Sequence, residues 1–371
     1  MAILIFIIIL SFLVIIHELG HFLAAKWAGV RVEEFGFGYP PKAIRLFTWR
    51  GTEFTLNIIP FGGFVRLAGE EAHGLVDKLN LSHDLFFKKP ALKRLIVILA
   101  GVAVNFIFGI LAFSIVFSLK GIPTTIKTAR IVYIQENSPA AQAGMKINTE
   151  IIKFVAEEKD FTVSTFASAQ EFIAAHQGQT VTVYTTGTCQ DFACEENLFT
   201  YQVYLKTEAQ KAEEEGSLGV AFAEYIPIFY PWWQMPFRAA WYGTEQALFL
   251  GLYILLALGD LIRQLMGGVI PQDVAGPIGI VHQASQQKIF EEGFLAMLNF
   301  AGMLSVNLAI MNLLPIPALD GGRAAFVFIA RIVGKKRAAK WENYANYAGY
   351  ALLLSLIVLV SLRDIKRVWG V

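Results

Sequence analysis

Ile16-His17-Glu18-Leu19-Gly20-His21 lies inside an apolar stretch that starts at the first residue, so an HExxH pattern is written into what reads as a membrane span. Positions i and i+4 of a helix share a face. His17 and His21 can therefore hold one divalent ion between two imidazoles, while Glu18 addresses a water beside it. Ionisable groups inside a span are costly, about 3 kcal/mol for a central Asp, Lys or Arg on insertion scales. Their presence marks a functional site, and the pattern predicts hydrolytic chemistry at membrane depth. The competing reading is a polar contact between helices.

An apolar content of 55% against 16% charged residues is too high for an ordinary soluble chain. A length of 371 residues allows several spans and one compact domain. Four stretches read as spans, at about 2 to 25, 95 to 119, 299 to 319 and 344 to 362. The first has no Lys or Arg ahead of its apolar run, unlike a secretory signal, and reads as a retained span. Lys26 to Arg94 holds eleven Lys or Arg, and Arg323, Arg331, Lys335, Lys336, Arg337 and Lys340 follow one another without an acidic residue. Both segments are expected on the cytoplasmic side. Residues 123 to 236 hold seven basic against fourteen acidic residues and are expected on the other. The tail, with Arg363, Lys366 and Arg367, then lies outside and runs against the rule. No basic run interleaved with aromatics points to nucleic acid.

Two His leave a catalytic zinc one protein ligand short of its usual three. Asp320 is the candidate for the third, in Asn312-Leu313-Leu314-Pro315-Ile316-Pro317-Ala318-Leu319-Asp320-Gly321-Gly322. Pro315 and Pro317 break the third span there, and broken backbone at membrane depth is tolerated only beside protein or a wet cavity. An ordinary helix-capping Asp is the alternative. A complete crossing by the further apolar stretch 239 to 266 would put Asp320 on the wrong side of the membrane. That stretch is expected to lie along the interface or to re-enter, with Trp232, Trp233, Trp241 and Tyr242 as an aromatic belt.

HELGH at 17–21 and NLLPIPALDGG at 312–322 resemble the two metal motifs of the site-2 proteases, intramembrane metalloproteases of bacterial regulated intramembrane proteolysis. The resemblance implies His17, His21 and Asp320 as Zn²⁺ ligands and Glu18 as the catalytic acid/base. Phe35-Gly36-Phe37-Gly38 and the run from Gly51 to Val65 are similar to the family's membrane-dipping β-hairpin, and Ala275-Gly276-Pro277-Ile278-Gly279-Ile280 resembles its loop before the third span. Ala100 to Asn105 is close to the family's AGPxxN, with Val102 in place of the proline. Substrate contacts are implied at Asn312, Asn105, Gly62, Gly63, Gly276 and Pro277. For the two amides, hydrogen bonding between helices is the competing reading. The alternation over 51–67 independently suggests a hairpin, either offering its edge to an extended substrate or plugging the site.

Residues 123 to 225 have ordinary soluble character and the size of one small domain. Ile131–Ile134 and Val181–Tyr184 read as strands, Ser138–Gly144 and Ser168–His176 as helices. Ser-Pro-Ala-Ala-Gln-Ala-Gly at 138–144 resembles the signature of a circularly permuted PDZ domain, although Asn148-Thr149-Glu150 replaces the usual Pro-Gly-Asp turn. The resemblance implies a peptide-end loop at Leu218, Gly219 and Val220; a size filter that binds no peptide is the alternative. Cys189 and Cys194 allow a local disulfide or two reduced thiols, and make a poor zinc site without a nearby His. His73, His83, His176 and His282 have no ligand spacing.

The expected fold is a polytopic α-helical membrane protein of four transmembrane helices, with a membrane-associated β-hairpin and an inserted α+β PDZ-like domain. Its expected organisation is an N-terminal membrane half over 1–122, including the hairpin region 31–70; the PDZ-like domain over 123–225, extracytoplasmic; an interfacial helix and GPIGI loop over 226–298; and a C-terminal membrane half over 299–371. The expected activity is zinc-dependent cleavage within the membrane segments of single-span proteins already cut by another protease, in a bacterial inner membrane with the active site toward the cytoplasm. The resemblance implies substrates such as anti-sigma factors and remnant signal peptides, without separating them. A non-cutting zinc scaffold has no use for Glu18, and a cation transporter would show metal flux without cleavage.

Overall fold

An unbroken apolar run needs about twenty helical residues to satisfy its backbone across ~30 Å of hydrocarbon, and α1 (Ala2–Ala28) supplies 27. The structure, a computed structural model, describes residues 2–69, 84–157, 159–190, 193–211, 216–268 and 276–369. His73, His83 and Ala275 lie outside the described residues. The chain divides into two compact units, Met1–Val116 with Pro236–Val371, and Phe117–Met235.

In the first unit α1 is followed by β1 (Val32–Trp49), β2 (Thr52–Leu67) and α2 (Ala91–Lys120), then, after the second unit, by α5 (Met235–Met266), α6 (Pro277–Gln286), α7 (Phe294–Leu313), α8 (Asp320–Val333) and α9 (Lys335–Trp369). Among the described residues, five helices rather than four are long and apolar enough to cross a membrane: α1, α2, α5, α7 and the Lys340–Lys366 portion of α9. The added one is α5. Ala239, Gly243, Ala247 and Gly251 recur every four residues along it, and the two alanines are fully buried. A side chain at Gly243 would come within 2.6 Å of Ser114 on α2, and one at Gly251 within 3.1 Å of Ile310 on α7. Such small-residue stripes let helices approach closely where lipid gives no hydrophobic drive.

α5 therefore packs on α2 at Gly243 and on α7 at Gly251. By α6 the chain is back at the other end, where Ala284 packs with Phe6 and Phe300. Phe6 precedes His17 by three helical turns, about 16 Å.

The two hairpin strands are each used twice. Glu34–Phe37 pair on one side with Arg66–Gly63 and on the other with Glu53–Leu56, and the latter segment also pairs with Ile44–Thr48. The result is a small sheet whose 63–66 edge pairs on one side only among the described residues. Phe22 of α1 packs into its aromatic face against Phe35 and Phe54, both 5.7 Å away between ring centres.

The second unit contains β3 (Ile122–Thr125), β4 (Ala129–Ile134), α3 (Pro139–Gln142), β5 (Thr149–Ala156), β6 (Lys159–Thr162), α4 (Phe166–Ala175), β7 (Thr180–Thr185), β8 (Cys189–Gln190), β9 (Ala193–Cys194), β10 (Phe199–Tyr204), β11 (Val220–Phe222) and β12 (Tyr225–Ile228). One sheet runs β10-β7-β5-β4-β11, with β6 beside β5. Its core is Phe154, Ile131, Val181, Val183 and Leu218, all nearly inaccessible. Ser138 caps α3, and Thr165 with Ser168 forms a capping box on α4. Cys189 and Cys194 are joined, closing β8 and β9 into a small loop.

Candidate metal centre

The site begins where α1 crosses α2. A Cβ at Gly20 would come within 2.6 Å of the Ala100 carbonyl oxygen, and one at Gly101 within 2.5 Å of His21 Nε2 and 2.8 Å of His17 Nε2. The two glycines thus set the helices at a separation that leaves room for two imidazoles and nothing more. Gly101→Ala is expected to push directly on both nitrogens. It should raise the zinc dissociation constant by at least about the 10–100-fold typical of lost supporting contacts, which chelator competition would measure.

From that crossing the donor atoms converge. His17 Nε2 lies 3.0 Å and His21 Nε2 3.2 Å from the same Asp320 oxygen, Oδ2, and the two nitrogens are 3.1 Å apart. Two imidazole nitrogens and a carboxylate oxygen form a usual protein set for a catalytic zinc, and ligands about 2.0–2.1 Å from a tetrahedral ion stand about 3.3 Å from each other. The nearly equilateral triangle fits such an ion with little adjustment. His21 Nδ1 lies 2.8 Å from the Val97 carbonyl on α2, which takes its proton and leaves Nε2 facing the centre.

Asp320 reaches this depth because α7 stops at Leu313 and the chain turns through Pro315 and Pro317. Ala318 adopts φ 76°, and its N–H donates to Asn346 Oδ1 on α9 at 3.0 Å. α8 then starts with Asp320, and its first turn folds back on the loop so closely that side chains at Gly321 and Gly322 would overlap the carbonyls of Leu313 and Ile316. This is why the motif ends in two glycines. Gly322→Ala is expected to displace the first turn of α8 and lower zinc occupancy measured on the purified chain, with little change in helix content.

A cavity of about 460 Å³ opens beside the triangle. Its walls include Glu18, Tyr39, Phe64, Asn312, Arg323 and Tyr350. The hairpin edge forms one side, since Gly63, Phe64, Val65 and Leu67 all face it. A Cβ at Gly63 would sit 3.6 Å from Glu18 Cγ. Gly62, with φ +75°, packs under the Tyr39 ring.

The structure thus brings together His17, His21, Asp320, Glu18, Asn105, Asn312 and Gly63. It does not bring Gly276 and Pro277 there. Gly276 and Gly279, at the start of α6, pack against α9, where the buried Asp364 accepts the Gly279 N–H at 2.7 Å. Asp364 thereby caps the first turn of α6. Val102 lies within an unbroken α2. Leu218, Gly219 and Val220 belong to the second unit; Leu218 is buried in its core with its carbonyl accepting the Ala140 N–H, and Val220 starts the edge strand β11. Sequence reasoning passed over Tyr39, Tyr350, Arg323 and Gly101. Only Arg323, one helical turn beyond Asp320, carried a readable signal.

A family model described as Peptidase family M50 matches residues 5–356. The Bacillus subtilis regulator of sigma-W protease RasP is 28% identical to this chain, over 98% of each protein. The zinc metalloprotease RasP of Oceanobacillus iheyensis is 27% identical, again over 98% of each. A Clostridium perfringens relative is 31% identical over 96% of each chain.

Proposed function

The chain belongs to peptidase family M50, and on that premise we propose that it is a zinc metalloendopeptidase cutting peptide bonds within the membrane segments of single-span proteins. The observation that carries this reading is the convergence of His17, His21 and Asp320 on one point with Glu18 on the wall of the adjoining cavity. His17, His21 and Asp320 would hold the ion. When bound, zinc supplies Lewis acidity, bringing the pKa of a water toward about 7 and polarising the scissile carbonyl.

Glu18 takes the proton of the attacking water and delivers it to the amide nitrogen as the C–N bond breaks. The unpaired 63–66 edge of the hairpin offers backbone N–H and C=O groups to a substrate drawn out of helix, because a helical peptide bond is shielded and must be extended before attack. Asn312 stands on the cavity wall as a contact for that strand. Zinc dependence is tested directly: chelation of the purified chain should stop cleavage of a reconstituted single-span substrate, and added zinc should restore it.

The four-span reading takes α1, α2, α7 and α9 as the complete crossings and leaves α5 uncounted among them. The basic segments then lie in the cytoplasm with the site nearer that face, and the acidic second unit lies outside a bacterial cell membrane. We read that second unit as PDZ-like, with β11 at a free sheet edge next to Leu218 and Gly219, able to accept a peptide end by strand addition or to screen clients by size. The printed name of the Bacillus subtilis relative ties it to sigma-W regulation. A comparable role in regulated intramembrane proteolysis, on substrates already shortened by another protease, is the reading we favour here. Trapping membrane proteins on a Glu18→Gln variant would identify them, and accumulation of no single-span protein would count against it.

A further inference from the structure

Asn105 is the one fully buried polar side chain in contact with the donor triangle whose hydrogen bonding is incomplete among the described residues. It is 0% exposed, its amide stands 3.4 Å from His17 Nδ1, and its amide oxygen has no hydrogen-bond partner. We propose that Asn105 is a positioning residue for His17, its side-chain carbonyl accepting the Nδ1 proton so that Nε2 presents a lone pair to the metal. This rests on the zinc reading above.

The chemistry leaves few other assignments. A neutral imidazole that gives Nε2 to an ion carries its proton on Nδ1, and a buried N–H requires an acceptor. For His21 that acceptor is the Val97 carbonyl at 2.8 Å. For His17 the facing group is the Asn105 amide, and half a turn about its last side-chain bond brings the oxygen, rather than the nitrogen, to Nδ1. The turn gives the Nδ1 proton an acceptor and the amide oxygen a donor. α2 then orients both ligand rings, one through its backbone and one through a side chain.

Position also argues against a direct substrate role. Although Asn105 lies at the cavity wall, it is 0% exposed and offers a peptide in the cavity no accessible surface. Its level on α2 is fixed independently, because Ser305 Oγ on α7 donates to the Asn105 backbone carbonyl at 2.8 Å.

The test is zinc affinity of the full chain in detergent, by chelator competition, alongside thermal unfolding of the zinc-free protein. Asn105→Leu should raise the dissociation constant by about 10–100-fold, Asn105→Asp, which keeps an acceptor in place, should retain wild-type affinity, and Ser305→Ala should change affinity less than about twofold. If Asn105→Leu does not fold, Asn105→Ala carries the same expectation. Equal affinity in wild type and in the Leu or Ala variant would overturn the proposal, as would an Asp variant as weak as Leu. A side chain that only bridges helices would lower the unfolding temperature and leave zinc affinity alone. If the wild-type chain itself binds no zinc, the reading beneath the proposal fails with it.

Discussion

Replacement of Glu18 by Gln is expected to leave zinc bound while slowing cleavage of a single-span substrate by about 10²- to 10⁴-fold, the range contributed by a positioned acid/base. Gln has the size of Glu and can still hydrogen-bond, but it cannot take a proton from water. Glu18 shares the cavity with the donor triangle without belonging to it: the three atoms that meet within 3.2 Å come from His17, His21 and Asp320. Loss of the carboxylate should therefore separate binding from chemistry. Initial rates on a reconstituted substrate and zinc content of the same preparation check this together. Wild-type rates in the variant would remove Glu18 from the reaction.

Asp320→Ala should behave differently, losing zinc and cleavage in parallel. Asp320 Oδ2 is the single atom that both imidazole nitrogens approach, so its removal leaves two neutral ligands and no compensating negative charge. We expect affinity to fall on the order of 10³-fold, beyond the 10–100-fold cost of an outer supporting contact. Excess zinc should recover part of the activity, whereas the Glu18→Gln variant should not respond. Metal titration of the two variants side by side distinguishes a ligand from a base.

The metal triangle was legible in the sequence because its parts obey local rules. His17 and His21 are one helical turn apart, and the prolines before Asp320 announce a break where a carboxylate can be presented. The partners that support the triangle were not, since nothing local places Val97 against His21 or Asn346 against Ala318. Those contacts exist only once α2 and α9 have packed. Gly101 illustrates the difference: within its motif it reads as one more small residue, and only the crossing with Gly20 shows that its missing side chain is the space the ligands occupy. At the start of α6 the sequence resemblance to a family loop gave no sign of the packing partner, Asp364, some ninety residues later in the chain.

The path of α5 was half readable. Parity between His17 and Asp320 argued against a single net crossing, whereas by length and composition α5 is one of five described helices able to cross a membrane. The four-residue stripe Ala239-Gly243-Ala247-Gly251 was present in the sequence as well, and a search for small residues at i, i+4 would have marked the face that packs on α2 and α7.

X-ray absorption at the zinc edge of the purified protein reads the ligand shell itself. The expected first shell is nitrogen and oxygen only, at about 2.0–2.2 Å, with the multiple-scattering signature of two imidazoles that is lost in a His17→Ala, His21→Ala double variant. Sulfur at about 2.3 Å, or an unchanged spectrum after both rings are removed, would contradict it.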